Sequence, residues 1–171
     1  MDLDFDVVDL GDCDHPVEGE TAPDFTRPLV NDEFWEDRSL SDLTAEGPVL
    51  LVFHTMDGAF PSTYIWNEIR DREWGERFDA RIVGVSISDP YAHKQLIEER
   101  DIDHELFSDP QNGVARDYDI EHDLDGMAGV SEPRPAVFLL DDDRTVEYAW
   151  VATEWPDFPD YDAVEDALDR V

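Results

Sequence analysis

Gly47-Pro48-Val49-Leu50-Leu51-Val52-Phe53 is the stretch on which the fold turns. Five apolar residues in succession follow a Gly-Pro turn, with no polar residue alternating among them. That pattern describes a strand buried on both faces. Outward from it, a loop holding Asp57-Gly58 leads to a helix over 62–78, with Ile65, Trp66 and Ile69 facing inward at 3–4 spacing. A second buried strand spans 81–87, through Ile82, Val83, Val85 and Ile87. Asp89 and Pro90 then form a favoured N-cap and N1 pair for a helix whose apolar face is Ala92, Leu96 and Ile97.

Upstream, 5–8 is a short strand, 11–23 is a polar, turn-rich loop, 33–38 a hairpin arm and 40–43 a helical turn. Downstream, Leu106-Phe107 is a short strand and 111–118 a short helix with Val114, Ala115 and Tyr118 inward. Strands over 136–140 and 145–151 are joined by Asp141-Asp142-Asp143-Arg144 and should pair as an antiparallel hairpin. In the last helix Val164, Ala167, Leu168 and Val171 fall at i, i+3, i+4 and i+7, with Asp160 as its cap. A right-handed crossover places the 49–53 and 81–87 strands side by side and parallel. The expected architecture is a mixed central sheet with helices on both faces.

A chain of 171 residues fits one domain with a sizeable core. Its net charge is −33, from 45 acidic and 12 basic residues, and Lys94 is the only lysine. Hydrophobic content of 41%, with nine phenylalanines, five tryptophans and five tyrosines, argues against disorder. The composition reads instead as a folded halophile protein, because in molar salt the screening length is about 3 Å and surface carboxylates barely repel one another. The charge excludes a nucleic-acid footprint and an anionic membrane surface as partners. Asp2, Asp4, Asp6 and Asp9 do not suit a signal peptide, and no apolar run approaches a membrane span, so a cytoplasmic protein is expected. Cys13 is the only cysteine, which rules out an internal disulfide and a cysteine-based zinc cluster.

Several segments taken in order resemble one family. Gly19-Glu20-Thr21-Ala22-Pro23-Asp24-Phe25, Leu40-Ser41-Asp42-Leu43 and the 49–53 strand are similar to the opening landmarks of the alkyl hydroperoxide reductase/thiol-specific antioxidant family, the peroxiredoxins. Ser86-Ile87-Ser88-Asp89-Pro90, Phe107-Ser108-Asp109 and Val114-Ala115-Arg116-Asp117-Tyr118 resemble its middle landmarks, and 136–141 with 146–150 its closing hairpin. The resemblance implies a thioredoxin-like fold of the peroxiredoxin type. It also implies a peroxidatic cysteine in the first turn of the helix after the first core strand, where free amides and the helix dipole favour a thiolate. The family pattern of proline, threonine or serine, and cysteine falls here on Thr55, Ala59 and Ser62. The family's late-strand arginine slot falls on Pro135, with Arg134 one step earlier and, by strand alternation, directed to the other face. A serine hydroxyl has no sulfenic acid ladder, so peroxide reduction at Ser62 is not expected.

Bland readings stand beside sharper ones. Ser62 is either a vestige of the peroxidatic position or simply an N-cap, and a hydrolytic Ser62–His54–Asp57 set is a further arrangement. Pro135 is cis, as in related folds, or an ordinary trans proline. Cys13, among acids, is inert or the working thiol of an antioxidant peroxidase reached from the N-terminal arm. Glu121, Asp123, Asp125 and Glu132 approximate a calcium loop, with Glu121 where aspartate belongs. Trp150, Trp155, Phe158 and Tyr161 cover the core edge or form a dimer surface. His93, His104 and His122 read as surface residues. Together the residues point to an N-terminal arm over 1–18 and a peroxiredoxin-like domain over 19–171. The expected function is a binding, regulatory or redox-accessory module with no cofactor. Its partner would be a small molecule, another protein or a second copy in a homodimer. A thiol peroxidase using Cys13 or a partner thiol, and an acidic cation binder, are the alternatives.

Overall fold

The computed structural model describes residues 7–124 and 127–171. The first elements are β1 (Val8–Asp9), then β2 (Thr26–Val30) and β3 (Trp35–Ser39), which pair as a hairpin. Ser39 caps α1 (Leu40–Thr44) by accepting from Asp42 N, and Asp24 ties the helix start to the preceding chain by accepting from both the amide and the hydroxyl of Ser41. β4 (Val49–Phe53) follows, with all five residues buried. Then come α2 (Phe60–Asp71), α3 (Trp74–Arg77), β5 (Arg81–Ser86), α4 (Pro90–Arg100) and β6 (Glu105–Ser108). The chain closes with α5 (Gly113–Asp117), β7 (Glu121–His122), β8 (Glu132–Pro133), β9 (Ala136–Leu140), β10 (Val146–Val151), β11 (Glu154–Trp155) and α6 (Tyr161–Leu168).

Seven strands make the main sheet, in the order β10-β9-β4-β5-β6-β2-β3. β4 lies parallel to β5 and antiparallel to β9, and β5 is parallel to β6, so the expected mixed sheet is formed. Alternation along β4 divides the core in two. Leu51 and Phe53 join Phe25, Phe107, Tyr118 and Phe138 on the face covered by α1 and α5. Leu50 and Val52 join Ile65, Trp66, Ile69, Leu96, Ile97 and Val164 on the face covered by α2, α4 and α6. Each such buried side chain contributes about 1.5–3 kcal/mol, and β4 supplies both faces at once.

The helix expected over 62–78 starts earlier and breaks. Pro61 belongs in a first turn, where its missing N–H costs nothing, so the helix begins at Phe60 with Ala59 as its N-cap. Glu73 takes a left-handed conformation (φ 58°), ends α2 and redirects the chain into α3. The turn buries Trp74, whose indole N–H donates to Glu165 at 2.8 Å. The strand expected over 5–8 is represented by β1 alone, residues 5 and 6 lying outside the described residues, and β1 pairs with β11. Val171 is 49% exposed, beyond the end of α6. Tyr148, Trp150, Phe158 and Tyr161 pack on the second core cluster, and Arg72 stacks over Tyr161, so the C-terminal aromatics cover the chain's own core.

Gly84, in the middle of β5, is where the second face is tightest. A Cβ there would lie 2.5 Å from both Leu106 Cδ2 and Trp66 Cζ2, and 2.9 Å from His54 Nε2. Gly84→Ala should therefore destabilise the fold by about 1–3 kcal/mol, read as a lowered denaturation midpoint at unchanged slope.

Candidate functional site

β4 runs on into His54, whose amide donates to Val85 O at 3.0 Å. By alternation its side chain enters the α2 face, where it is wholly buried with its ring edge-on to Trp66 at 5.4 Å. Nδ1 lies 2.9 Å from Ser62 Oγ and 3.0 Å from Thr55 O, while Nε2 has no partner among the described residues. Burial pushes His54 down to about 4; the Asp57 carboxylate opposes this and His93 adds to it. The ring is therefore neutral at pH 7.

Ser62 is not the cap of its helix. It sits within the first turn, fully buried, with its hydroxyl on His54. Thr55 is buried beside it, its hydroxyl without a partner among the described residues, and Ala59 begins the helix. Thr55, Ala59 and Ser62 are thus brought together where β4 hands over to α2.

Asp57 and His93 complete the cluster. Asp57 Oδ2 is 2.7 Å from His93 Nδ1, and His93 Nε2 is 2.9 Å from Phe107 O. The carbonyl can only accept, so Nε2 carries a hydrogen. His93 is thus a buried anchor of α4 rather than a surface residue. Its position three and four residues before Leu96 and Ile97 was the signal for that burial. His104 is half-buried against Trp66, which also corrects a surface assignment. The loop between His54 and α2 is pinned from outside as well: Met56 N donates to Glu132 Oε1 and Asp57 N to Ser88 Oγ, both at 2.8 Å. Nothing in the sequence singles out Glu132 for that role.

The hydrolytic arrangement is not formed. A Ser-His-Asp triad uses the two imidazole nitrogens for its two partners. Here Ser62 Oγ and Asp57 Oδ1, the latter at 3.9 Å, approach the same nitrogen.

Arg134 lies on the other face of the sheet from Ser62. Its guanidinium donates to the carbonyls of Leu10 (2.9 Å), Gly11 (2.8 Å) and Ala152 (3.3 Å). Pro135 is buried and trans; the one cis bond among the described residues joins Trp155 to Pro156. Cys13 is half-buried against the core cluster of Phe53 and Phe138, across the sheet from Ser62. Burial pushes its thiol up, with the Arg134 charge opposing.

The described members of the calcium-loop set do not converge. Glu121 pairs with Arg116 at 2.9 Å, Glu132 reaches Met56, and Asp125 lies outside the described residues. β7 and β8 pair Glu121 with Pro133 and His122 with Glu132, which sets Glu121 and Glu132 on opposite faces of the ribbon. Among the described residues no group of three His, Cys, Asp or Glu side chains could hold a metal, and no helix is long and apolar enough to cross a membrane.

Known proteins share both sequence and architecture with the chain. It is 25% identical over 146 residues to the chloroplastic 2-Cys peroxiredoxin BAS1 of Hordeum vulgare, covering 81% of this chain and 67% of that one. Peroxidoxin BcpB from Mycobacterium tuberculosis superposes with a TM-score of 0.73 at 28% identity, covering 91% of this chain and 96% of that chain. Enterococcus faecalis AhpC, at 14% identity and a TM-score of 0.75, covers 91% of this chain and 92% of its own and shares the fold. Residues 18–149 match the model of the AhpC/TSA family, and the chain belongs to that family, the peroxiredoxins.

Proposed function

We propose that this peroxiredoxin has lost the peroxidase reaction and keeps the scaffold as a binding, regulatory or redox-accessory module. The observation that carries the reading is the buried Ser62 hydroxyl on a neutral His54, where the family pattern places a reactive cysteine. An alcohol there has no sulfenic acid chemistry with which to take an oxygen atom from a peroxide. The cation that would favour an anion is also elsewhere, since Arg134 serves backbone carbonyls on the far face. The thiol reading for Cys13 is disfavoured because burial raises that thiol, which thins the thiolate that would attack.

Binding is supported by the surface next to the site. Phe60 and Tyr64 are 42% and 58% exposed on the first turns of α2, with rings 5.9 Å apart, and offer a contact for a protein partner or a second copy in a homodimer. The net charge of −33 supports a home in a high-salt cytoplasm.

Three measurements test the reading. Peroxide consumption with dithiothreitol in high salt should match the buffer rate for both wild type and Cys13→Ser; turnover lost in Cys13→Ser would establish the thiol-peroxidase alternative. In the Ser62→Cys, Cys13→Ser double variant, the new thiol should titrate at or above the ordinary value of about 8.5, because a buried site with a neutral imidazole does not favour the thiolate. A thiol well below that value, by ultraviolet thiolate absorbance, would mean that the activating electrostatics survive. Melting temperature should fall steeply as KCl is lowered from about 3 M to about 0.1 M, where carboxylate repulsion is no longer screened. A melting temperature independent of salt would count against the halophilic assignment.

A further inference from the structure

β3 borders the main sheet at the opposite end from β10, with β2 on its inner side and no strand of the described residues on its outer side. The ladder fixes which of its backbone groups point outward. Asn31 N donates to Phe34 O, and Leu40 N to Phe25 O, one bond at each end of the hairpin. Bonding to β2 therefore falls on Glu36 and Arg38, opposite Leu29 and Arg27, while Trp35 and Asp37 stand at the positions between. Pro28, which has no N–H, lies opposite Asp37, where β2 owes β3 no bond. The N–H and C=O of Trp35 and of Asp37 are consequently turned outward, and among the described residues none of the four has a partner.

The side chains of this edge alternate. Leu29, opposite Glu36, belongs to the core on the α1 face, so Glu36 and Arg38 project on that side. Arg38 holds no carboxylate closely: Glu36 is at 3.9 Å and Glu46 at 4.0 Å. Trp35 projects on the other side with Val30, where its ring meets that of Tyr91 edge-on at 5.0 Å. Both rings are exposed, Trp35 by 37% and Tyr91 by 72%. Unpaired backbone groups beside exposed aromatics make a template for another strand. The order Trp35-Glu36-Asp37-Arg38-Ser39 decides which strand it accepts.

A second copy of β3 is complementary to it in one register. Laid antiparallel about a two-fold axis at Asp37, the second strand sets its Arg38 opposite Glu36 and its small Ser39 opposite Trp35. Glu36 and the second copy's Arg38 then meet at a position without ladder bonds, Cα atoms about 4.5 Å apart, where side chains lie closest. The two-fold repeats that pair, so four charges alternate in sign around a ring. One like pair arises, Asp37 with its own equivalent, at the wider bonded spacing of about 5.5 Å and screened in molar salt. Sliding one strand by two residues, the step that keeps the bonds in phase, sets Glu36 on Glu36 or Arg38 on Arg38. We propose that the β3 edge is a homodimer interface that joins two sheets in the Asp37-centred register. It is separate from the Phe60 and Tyr64 surface, and it stands whether or not peroxidase activity is lost.

Sedimentation velocity of the full chain in about 2 M KCl, where the net charges of the two copies are screened, reads the association. The wild type should show a reversible monomer–dimer equilibrium. Glu36→Arg and Arg38→Glu should each raise the dissociation constant at least about tenfold, about 1.4 kcal/mol, because each makes the four charges alike. Mixed in equal amounts, those two variants should pair with each other at about the wild-type affinity, since every cross-strand contact is then between opposite charges. Asp37→Asn should tighten the dimer by removing its one like pair. Asp37→Pro takes away an outward N–H and leaves the bonds to β2 in place, so it should abolish the dimer. A chain that stays monomeric up to about 0.5 mM, a dimer that neither charge reversal weakens, or reversed chains that fail to pair when mixed would each overturn the proposal. Thermal melts report whether the variants fold, and the mixing experiment decides the matter if the proline variant does not.

Discussion

Five side chains without a polar atom, Val49 to Phe53, sit between a parallel and an antiparallel neighbour and bury themselves in both directions. Once that strand is fixed, its next residue has no route to solvent. His54 must continue the ladder on Val85 and carry an imidazole into the interior beneath α2. The polar cluster at the handover is a response to that burial. Ser62 and the Thr55 carbonyl satisfy one nitrogen, and the other lies over the bare backbone of Gly84. The same burial settles the charge, because desolvation outweighs the nearby Asp57 and leaves the ring neutral.

Where the family pattern falls, the cluster is electrically quiet. His54 is neutral and Ser62 is a hydroxyl, while the Asp57 carboxylate is held against His93. A peroxide-reducing site needs the reverse: an anionic nucleophile and a cation to favour it. The interactions present here position backbone. They fix the 55–58 loop against α4 through His93, against β8 through Glu132 and against the β5–α4 turn through Ser88. These are the interactions of a packed core.

Legibility in the sequence followed the length of the signal. β4, β5, the closing hairpin and α4 with its Asp89–Pro90 start were readable because each rests on several residues in one phase. The break after α2 was not, since a glutamate in a left-handed conformation looks like any helical glutamate until Trp74 is seen to need its pocket. Ser62 reads as a cap by residue type, but Pro61 moves the helix start ahead of it. The β7–β8 ribbon is two residues a side, too short for any periodicity. At the site, the grouping of Thr55, Ala59 and Ser62 came from the family resemblance, and the far-face direction of Arg134 from that resemblance together with strand alternation. Partners distant in sequence, His93 for Asp57 and Glu132 for Met56, did not.

Arg134 has a corollary for the segment that precedes the sheet. By composition that segment looks dispensable, an acidic leader without a core of its own. Yet the guanidinium is 5% exposed and takes two of its three carbonyl acceptors from Leu10 and Gly11. Trimming the chain past residue 11 would strand a permanent cation in the protein interior, a fault that no repacking of neighbouring phenylalanines could mend. The leader therefore works as a latch, and the two ends of the molecule must be expected to melt together.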